Sequence, residues 1–150
     1  MRLPRVAILD TSVFVEILGV PGRCAQQEEL LRELKDRVNR GDELLLPLAT
    51  IFETGNHIAQ AATRRRAAAK KFVEEVGAAL DGNRPYRAII PVEPKWLKSW
   101  LDTFPNHANA GLGFADVSLI EEWKRMRRLV GDTRRVEIWT LDKHLAGYDQ

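Results

Sequence analysis

Short, continuous apolar runs alternate along this chain with longer stretches of helical periodicity, and that alternation restricts the fold more than any other feature. Arg5-Val6-Ala7-Ile8-Leu9, Leu44-Leu45-Leu46, Ala88-Ile89-Ile90 and Val136-Glu137-Ile138-Trp139-Thr140-Leu141 read as strands. Runs with so little polar alternation suit strands covered on both faces, as in a parallel sheet. Between them, apolar residues recur every three or four positions, the spacing of one helical face. Ser12 is placed to cap a helix over 13–18. Leu30, Leu31, Leu34 and Val38 mark another helix, which Gly41 stops. The spacing predicts a continuous helix from Thr50 through the Ala-rich basic stretch 61–71 to Leu80, broken by Gly82-Asn83. Trp96, Leu97, Trp100 and Leu101 follow Pro94 at helical spacing, and 105–113, rich in Asn and Gly, reads as a loop. Residues 116–129 form a further helix with Val117, Ile120, Trp123 and Met126 along one stripe. Strands alternating with helices in this way predict an α/β fold around a parallel sheet with right-handed crossovers.

The 150 residues fit one domain, 1–150. With 45% apolar residues the chain has enough material for a core, which excludes wholesale disorder. A net charge of +2, from 23 basic and 21 acidic residues, does not by itself announce a nucleic-acid binder, so the distribution of charge has to decide. Cys24 is the only cysteine, which excludes an internal disulfide and argues against a cysteine zinc site. No apolar run approaches the roughly 20 residues needed to span a bilayer. The stretch from Arg2 to Leu9 is too short and interrupted for a signal peptide. These features together point to a cytoplasmic protein without membrane association.

In open α/β sheets, sites form beyond the carboxyl ends of the strands. Asp10 follows the first strand and Asp142 the last, while Glu53 and Asp116 stand near the starts of two helices that can face the same edge. Each acid also has a plain structural explanation. Asp10 suits a turn, Asp116 a helix N-terminus, and Asp142 the cap of a short helix containing His144 and Leu145. Thr50-Ile51-Phe52-Glu53 fits the capping-box pattern. Considered together, however, four acids in one crevice would repel, a pair roughly 4 Å apart costing about 4 kcal/mol at an effective dielectric near 20. Such a group is stable mainly around a divalent cation, and an all-oxygen donor set points to Mg²⁺ or Mn²⁺ rather than zinc.

Ile8-Leu9-Asp10-Thr11-Ser12, Thr50-Ile51-Phe52-Glu53, the octapeptide 113–120 around Asp116, and Trp139-Thr140-Leu141-Asp142 occur in an order and spacing that resemble the PIN domain and, within it, the VapC-like toxins. The motifs are short, but the ordered set spans nearly the whole chain. The resemblance implies a three-layer α/β/α sandwich and Mg²⁺- or Mn²⁺-dependent RNA cleavage leaving a 5′-phosphate and a 3′-hydroxyl. It implies metal binding by Asp10, Asp116 and Asp142, with Glu53 as a further ligand or water-orienting base. Ser12 and Thr140 match small hydroxyl positions that support the acids. A homodimer and a small antitoxin that supplies an occluding peptide are implied as partners. The proline-containing segment 80–96 and the loop 105–113 depart from the pattern, which bears on substrate choice and partners.

Two basic clusters, Arg64-Arg65-Arg66 with Lys70-Lys71 and Arg125 to Arg135, read either as solvated helix faces or as phosphate grips. His57, His107 and His144 are too scattered for a metal triad, although His57 lies one turn after Glu53. Gly111-Leu112-Gly113 lacks the further glycine of a phosphate loop. Trp96, Trp100 and Phe104 fall on one stripe, suited either to the core or to a dimer surface. The rival functions are an RNA-processing nuclease, a Mg²⁺-dependent phosphatase with Asp10 as nucleophile, and an inactive binding module of the same fold. Asp10-Thr11-Ser12 lacks a second acid two residues on, which weakens the phosphatase reading.

Overall fold

The computed structural model describes residues 3–91 and 93–149; Met1, Arg2, Val92 and Gln150 lie outside the described residues. The strands are β1 (Val6–Leu9), β2 (Glu43–Pro47), β3 (Tyr86–Ile89) and β4 (Val136–Trp139). They form one sheet in the order β3-β2-β1-β4, with every pairing parallel. The helices are α1 (Thr11–Leu18), α2 (Gln27–Arg40), α3 (Leu48–Gln60), α4 (Arg65–Leu80), α5 (Pro94–Asn109) and α6 (Phe114–Val130).

Successive strand residues point to opposite faces, and the core divides accordingly. Ala7, Leu9, Leu44, Leu46 and Trp139 pack with Val13, Phe14 and Ile17 of α1, Leu30 of α2, Ile58 of α3 and Val76 of α4. Val6, Ile8, Leu45, Val136 and Ile138 pack on the other side with Leu119, Ile120, Trp123 and Met126 of α6. The result is the expected three-layer α/β/α arrangement around a parallel sheet. Both faces are covered, which is why the strand runs are apolar at almost every position. Among the described residues, no helix is long and apolar enough to cross a membrane.

Two sequence expectations need correction, and a third, left open between core and dimer surface, goes mostly to packing within the chain. The helix expected from Thr50 to Leu80 is two helices, because the chain turns over 61–64, where Arg64 adopts a left-handed backbone conformation (φ 51°). The segment expected as a loop over 105–113 is helical as far as Asn109, with Pro105 inside α5. The stripe of Trp96, Trp100 and Phe104 packs within the chain. Trp100 and Phe104 meet Phe114 edge-on, at 6.4 Å and 5.2 Å between ring centroids, and the Arg125 guanidinium lies 5.3 Å from the Trp96 ring. The aromatic surplus that suggested a dimer is thus largely used between α5 and α6.

A charged cluster closes the end of the sheet where the strands begin. Arg37 of α2 pairs with Glu137 of β4 and with Asp42 (3.6 Å) and Glu33 (2.9 Å), while its guanidinium lies 4.3 Å from the Trp139 ring. Asp42 also pairs with Arg40 and accepts the Arg5 N–H at 2.9 Å. Burial pushes the Asp42 carboxyl up, but the Arg40 hydrogen bond, the Arg5 N–H and the Arg40 and Arg37 charges outweigh burial and hold it below its ordinary value.

Candidate functional site

The topology sets where the acids stand. From β1 the chain continues to β2 and β3 on one side, and β4 is added on the other. The carboxyl end of β1 is therefore a switch point, the usual place for a site in such a sheet. Asp10 follows β1 there, 140–142 leave β4 next to it, and α3 starts directly after β2. Because α6 is followed at once by β4, it runs antiparallel to that strand and begins at the same edge, which brings Asp116 in its first turn to this end.

Local hydrogen bonds replace the structural roles that sequence allowed for two of these acids. Asp10 is the N-cap residue of α1, yet its carboxylate makes no cap bond. Instead Asp10 Oδ2 accepts from Ser12 Oγ at 2.8 Å and from Thr140 Oγ1 at 2.7 Å. Ser12 therefore supports Asp10 instead of capping the helix, which begins at Thr11, two residues earlier than expected. The two hydroxyls in turn accept backbone N–H groups, Ser12 from Leu141 and Thr140 from Asp142, both at 2.9 Å. This lattice ties the first turn of α1 to the segment after β4. Glu53 is not the partner in a capping box. Its helix starts at Leu48, Thr50 Oγ1 donates to the Leu9 carbonyl at 2.7 Å, and Glu53 Oε2 accepts from Thr11 Oγ1 at 2.9 Å. Thr11 and Thr50 are structural partners that sequence reasoning missed. No local pattern marks them, since their acceptors lie 42 and 41 residues away.

The other two acids keep part of their plain explanation. Asp142 Oδ1 accepts the His144 N–H at 2.9 Å, a turn bond in place of the expected helix cap, since 143–147 form turns and no helix. Asp116 stands three residues after the N-cap Gly113, whose backbone N–H acts to lower the Asp116 carboxyl. Even so, the Asp116 carboxyl is raised above its ordinary value. Burial is the main cause, followed by the negative charges of Asp10, Asp142 and Glu53, against the opposing Gly113 bond. All four acids therefore share one electrostatic field. Among the described residues, no group of three or more His, Cys, Asp or Glu side chains is drawn together as a ready-made metal cage. On Asp10, Glu53 and Asp142 hydrogen bonds engage one carboxylate oxygen, and the other has no hydrogen bond among the described residues.

The basic clusters differ in degree, and in the second only Arg128 is both exposed and without an ion pair among the described residues. In the second basic cluster Arg125 pairs with Glu122, Arg134 with Glu43 and Arg135 with Asp149, and Arg127 lies over Trp123. Arg64, Arg66, Lys70 and Lys71 are exposed and have no ion pair among the described residues. A cleft of about 350 Å³, lined by Asp42, Arg84, Tyr86 and Arg134, lies where β2 and β3 begin. It is at the far end of the strands from the four acids, and its arginine–glutamate pairs already satisfy much of its charge. An apolar trough of about 510 Å³ between α3 and α4 is lined by Gly55, Ile58, Ala69 and Phe72 and rimmed by Arg65 and Arg66. Comparison with protein-family models, with curated proteins and with solved structures returns no match.

Proposed function

We propose that this chain is a metal-dependent endoribonuclease of PIN type. One observation carries the reading: Asp10 and Asp142 follow neighbouring strands at the sheet's switch point, Asp116 begins α6 at the same edge, and Glu53 is tied to Thr11, the residue after Asp10, an arrangement in which the Asp116 carboxyl is pushed up by burial and by the other three acids. A half-buried acid held against three like charges is the electrostatic setting that a divalent cation relieves. The chemistry of the donor set suits Mg²⁺ or Mn²⁺, whose binding would draw together side chains that do not yet form a cage among the described residues. The set is all oxygen, and it offers one unengaged oxygen on each of three carboxylates, in keeping with an ion that retains several of its waters. Asp10, Asp116 and Asp142 would hold the ion, with Glu53 as a further ligand or as the base that orients water. Bound there, the ion would lower the pKa of water and offset charge on the phosphate.

The chain's own residues supply the rest. Ser12 and Thr140 hold Asp10 so that only one of its oxygens faces the reaction. The free cations Arg64, Arg66, Lys70 and Lys71 provide a grip for an RNA backbone. In the cell we infer a cytoplasmic toxin restrained by a small antitoxin, for which the apolar α3–α4 trough offers a contact surface, and a homodimeric assembly. An RNA-processing role uses the same chemistry. The test is cleavage of a structured RNA by wild type and Asp10→Asn with Mg²⁺, with Mn²⁺ and with EDTA. Cleavage that needs metal and is lost by at least 10²-fold in Asp10→Asn supports the reading. Metal-independent cleavage, or none by wild type, refutes it, and phosphate trapped on Asp10 would establish the phosphatase instead.

A further inference from the structure

We propose that Thr11 is a positioning residue for Glu53: its hydroxyl holds one carboxylate oxygen and thereby fixes where the other stands. The inference rests on the ribonuclease reading and assigns a role to a side chain that the sequence motifs leave idle. Thr11 is the first residue of α1 and is 5% exposed, yet its hydroxyl serves neither its own helix nor solvent. It donates to Glu53 Oε2 at 2.9 Å, across the contact between α1 and α3. Glu53 needs such a restraint more than its neighbours do. A glutamate has three side-chain torsions, and on a half-exposed helix face it samples several rotamers unless one oxygen is held. Thr11 is suited to hold it because β-branching leaves it only two helical rotamers, and here its buried hydroxyl points at Glu53. Consecutive residues thus divide the work, Ser12 on Asp10 and Thr11 on Glu53.

The competing explanation is that Thr11 merely fills the core with its methyl group. Valine keeps that shape and removes the hydroxyl, whereas serine keeps the hydroxyl and removes the methyl. Thr11→Val, Thr11→Ser, Glu53→Gln and Thr11→Val/Glu53→Gln are compared by Mn²⁺ titration followed by electron paramagnetic resonance, and by kcat and KM on RNA. Partners behind a metal ligand typically contribute about 10–100-fold in metal affinity or activity. The expected result is a loss of that size in Mn²⁺ affinity and kcat for Thr11→Val, with KM unchanged. Thr11→Ser stays close to wild type, and the double variant is no worse than Glu53→Gln. Should Thr11→Val fail to fold, Thr11→Ala carries the same expectation. Thr11→Val that binds Mn²⁺ and turns over like wild type while Glu53→Gln is impaired overturns the positioning role alone, as does Thr11→Ser impaired as much as Thr11→Val. A wild type without Mn²⁺-dependent cleavage overturns the ribonuclease reading and the positioning role with it.

Discussion

Replacing Arg37 by Met tests how the sheet is anchored at the end away from the acids. The Arg37 side chain is 7% exposed and holds Glu137 (11%) and Asp42 (0%) while covering the Trp139 ring. Removing one partner of a buried ion pair costs about 3–5 kcal/mol, because the other charge remains in a poor solvent. Here both orphans keep a second cation. Asp42 retains Arg40 and the Arg5 N–H, and Glu137 retains Arg5 at 3.5 Å. Methionine also preserves part of the contact with Trp139. The cost therefore falls at the low end, about 3 kcal/mol, which for a domain of this size lowers Tm by about 6–12 °C. The sign with pH follows from Asp42. Its folded value lies below the ordinary one, so its contribution is present above about pH 3.9 and is lost as pH falls through the folded value. The gap between wild type and Arg37→Met should narrow there. Thermal melts from pH 3 to pH 8 measure this. Adding Glu137→Leu to Arg37→Met should recover most of the loss, since a buried ion pair replaced whole by apolar groups is often neutral. An Arg37→Met protein melting within about 2 °C of wild type at neutral pH, against the drop expected here, would refute the reasoning.

Asp116→Asn, melted without added metal, should be slightly more stable than wild type at neutral pH, by about 1–2 °C, because half-exposed charges interact weakly. Its folded value lies above the ordinary one, so ionised Asp116 destabilises at neutral pH; the gain should vanish as pH falls below the ordinary value, and a large drop in Tm would make the acid structural. Light scattering should report the assembly: with the aromatic stripe packed between α5 and α6, dimerisation has to rely on surfaces such as exposed Leu97 and Leu101, and a monomer well above micromolar concentration would remove the dimer from the proposal.

The alternation of apolar runs with helical spacing was enough to specify a parallel sheet, because strands buried on both faces leave an uninterrupted apolar signature of their own. It also located Asp10 and Asp142 after strands and Asp116 at a helix start, since those positions follow from chain order. The two largest errors in helix boundaries arose where tertiary contacts overrode local rules. Pro105 lies inside α5, where Trp100 and Phe104, in the turns just before it, are held by Phe114. The break at Arg64 needs a left-handed backbone in a residue that gives no hint of one. The capping-box pattern at Thr50–Glu53 was equally persuasive locally, and both of its side chains are used elsewhere. Thr50 reaches the end of β1, and Glu53 is held by Thr11. A sequence can bring acids to the same edge of a sheet, and short-range bonds such as Ser12 to Asp10 and His144 to Asp142 lie within its reach, but which oxygen of Glu53 is tied is decided only when α1 and α3 pack together, because a hydrogen bond spanning 42 residues leaves no periodicity to read.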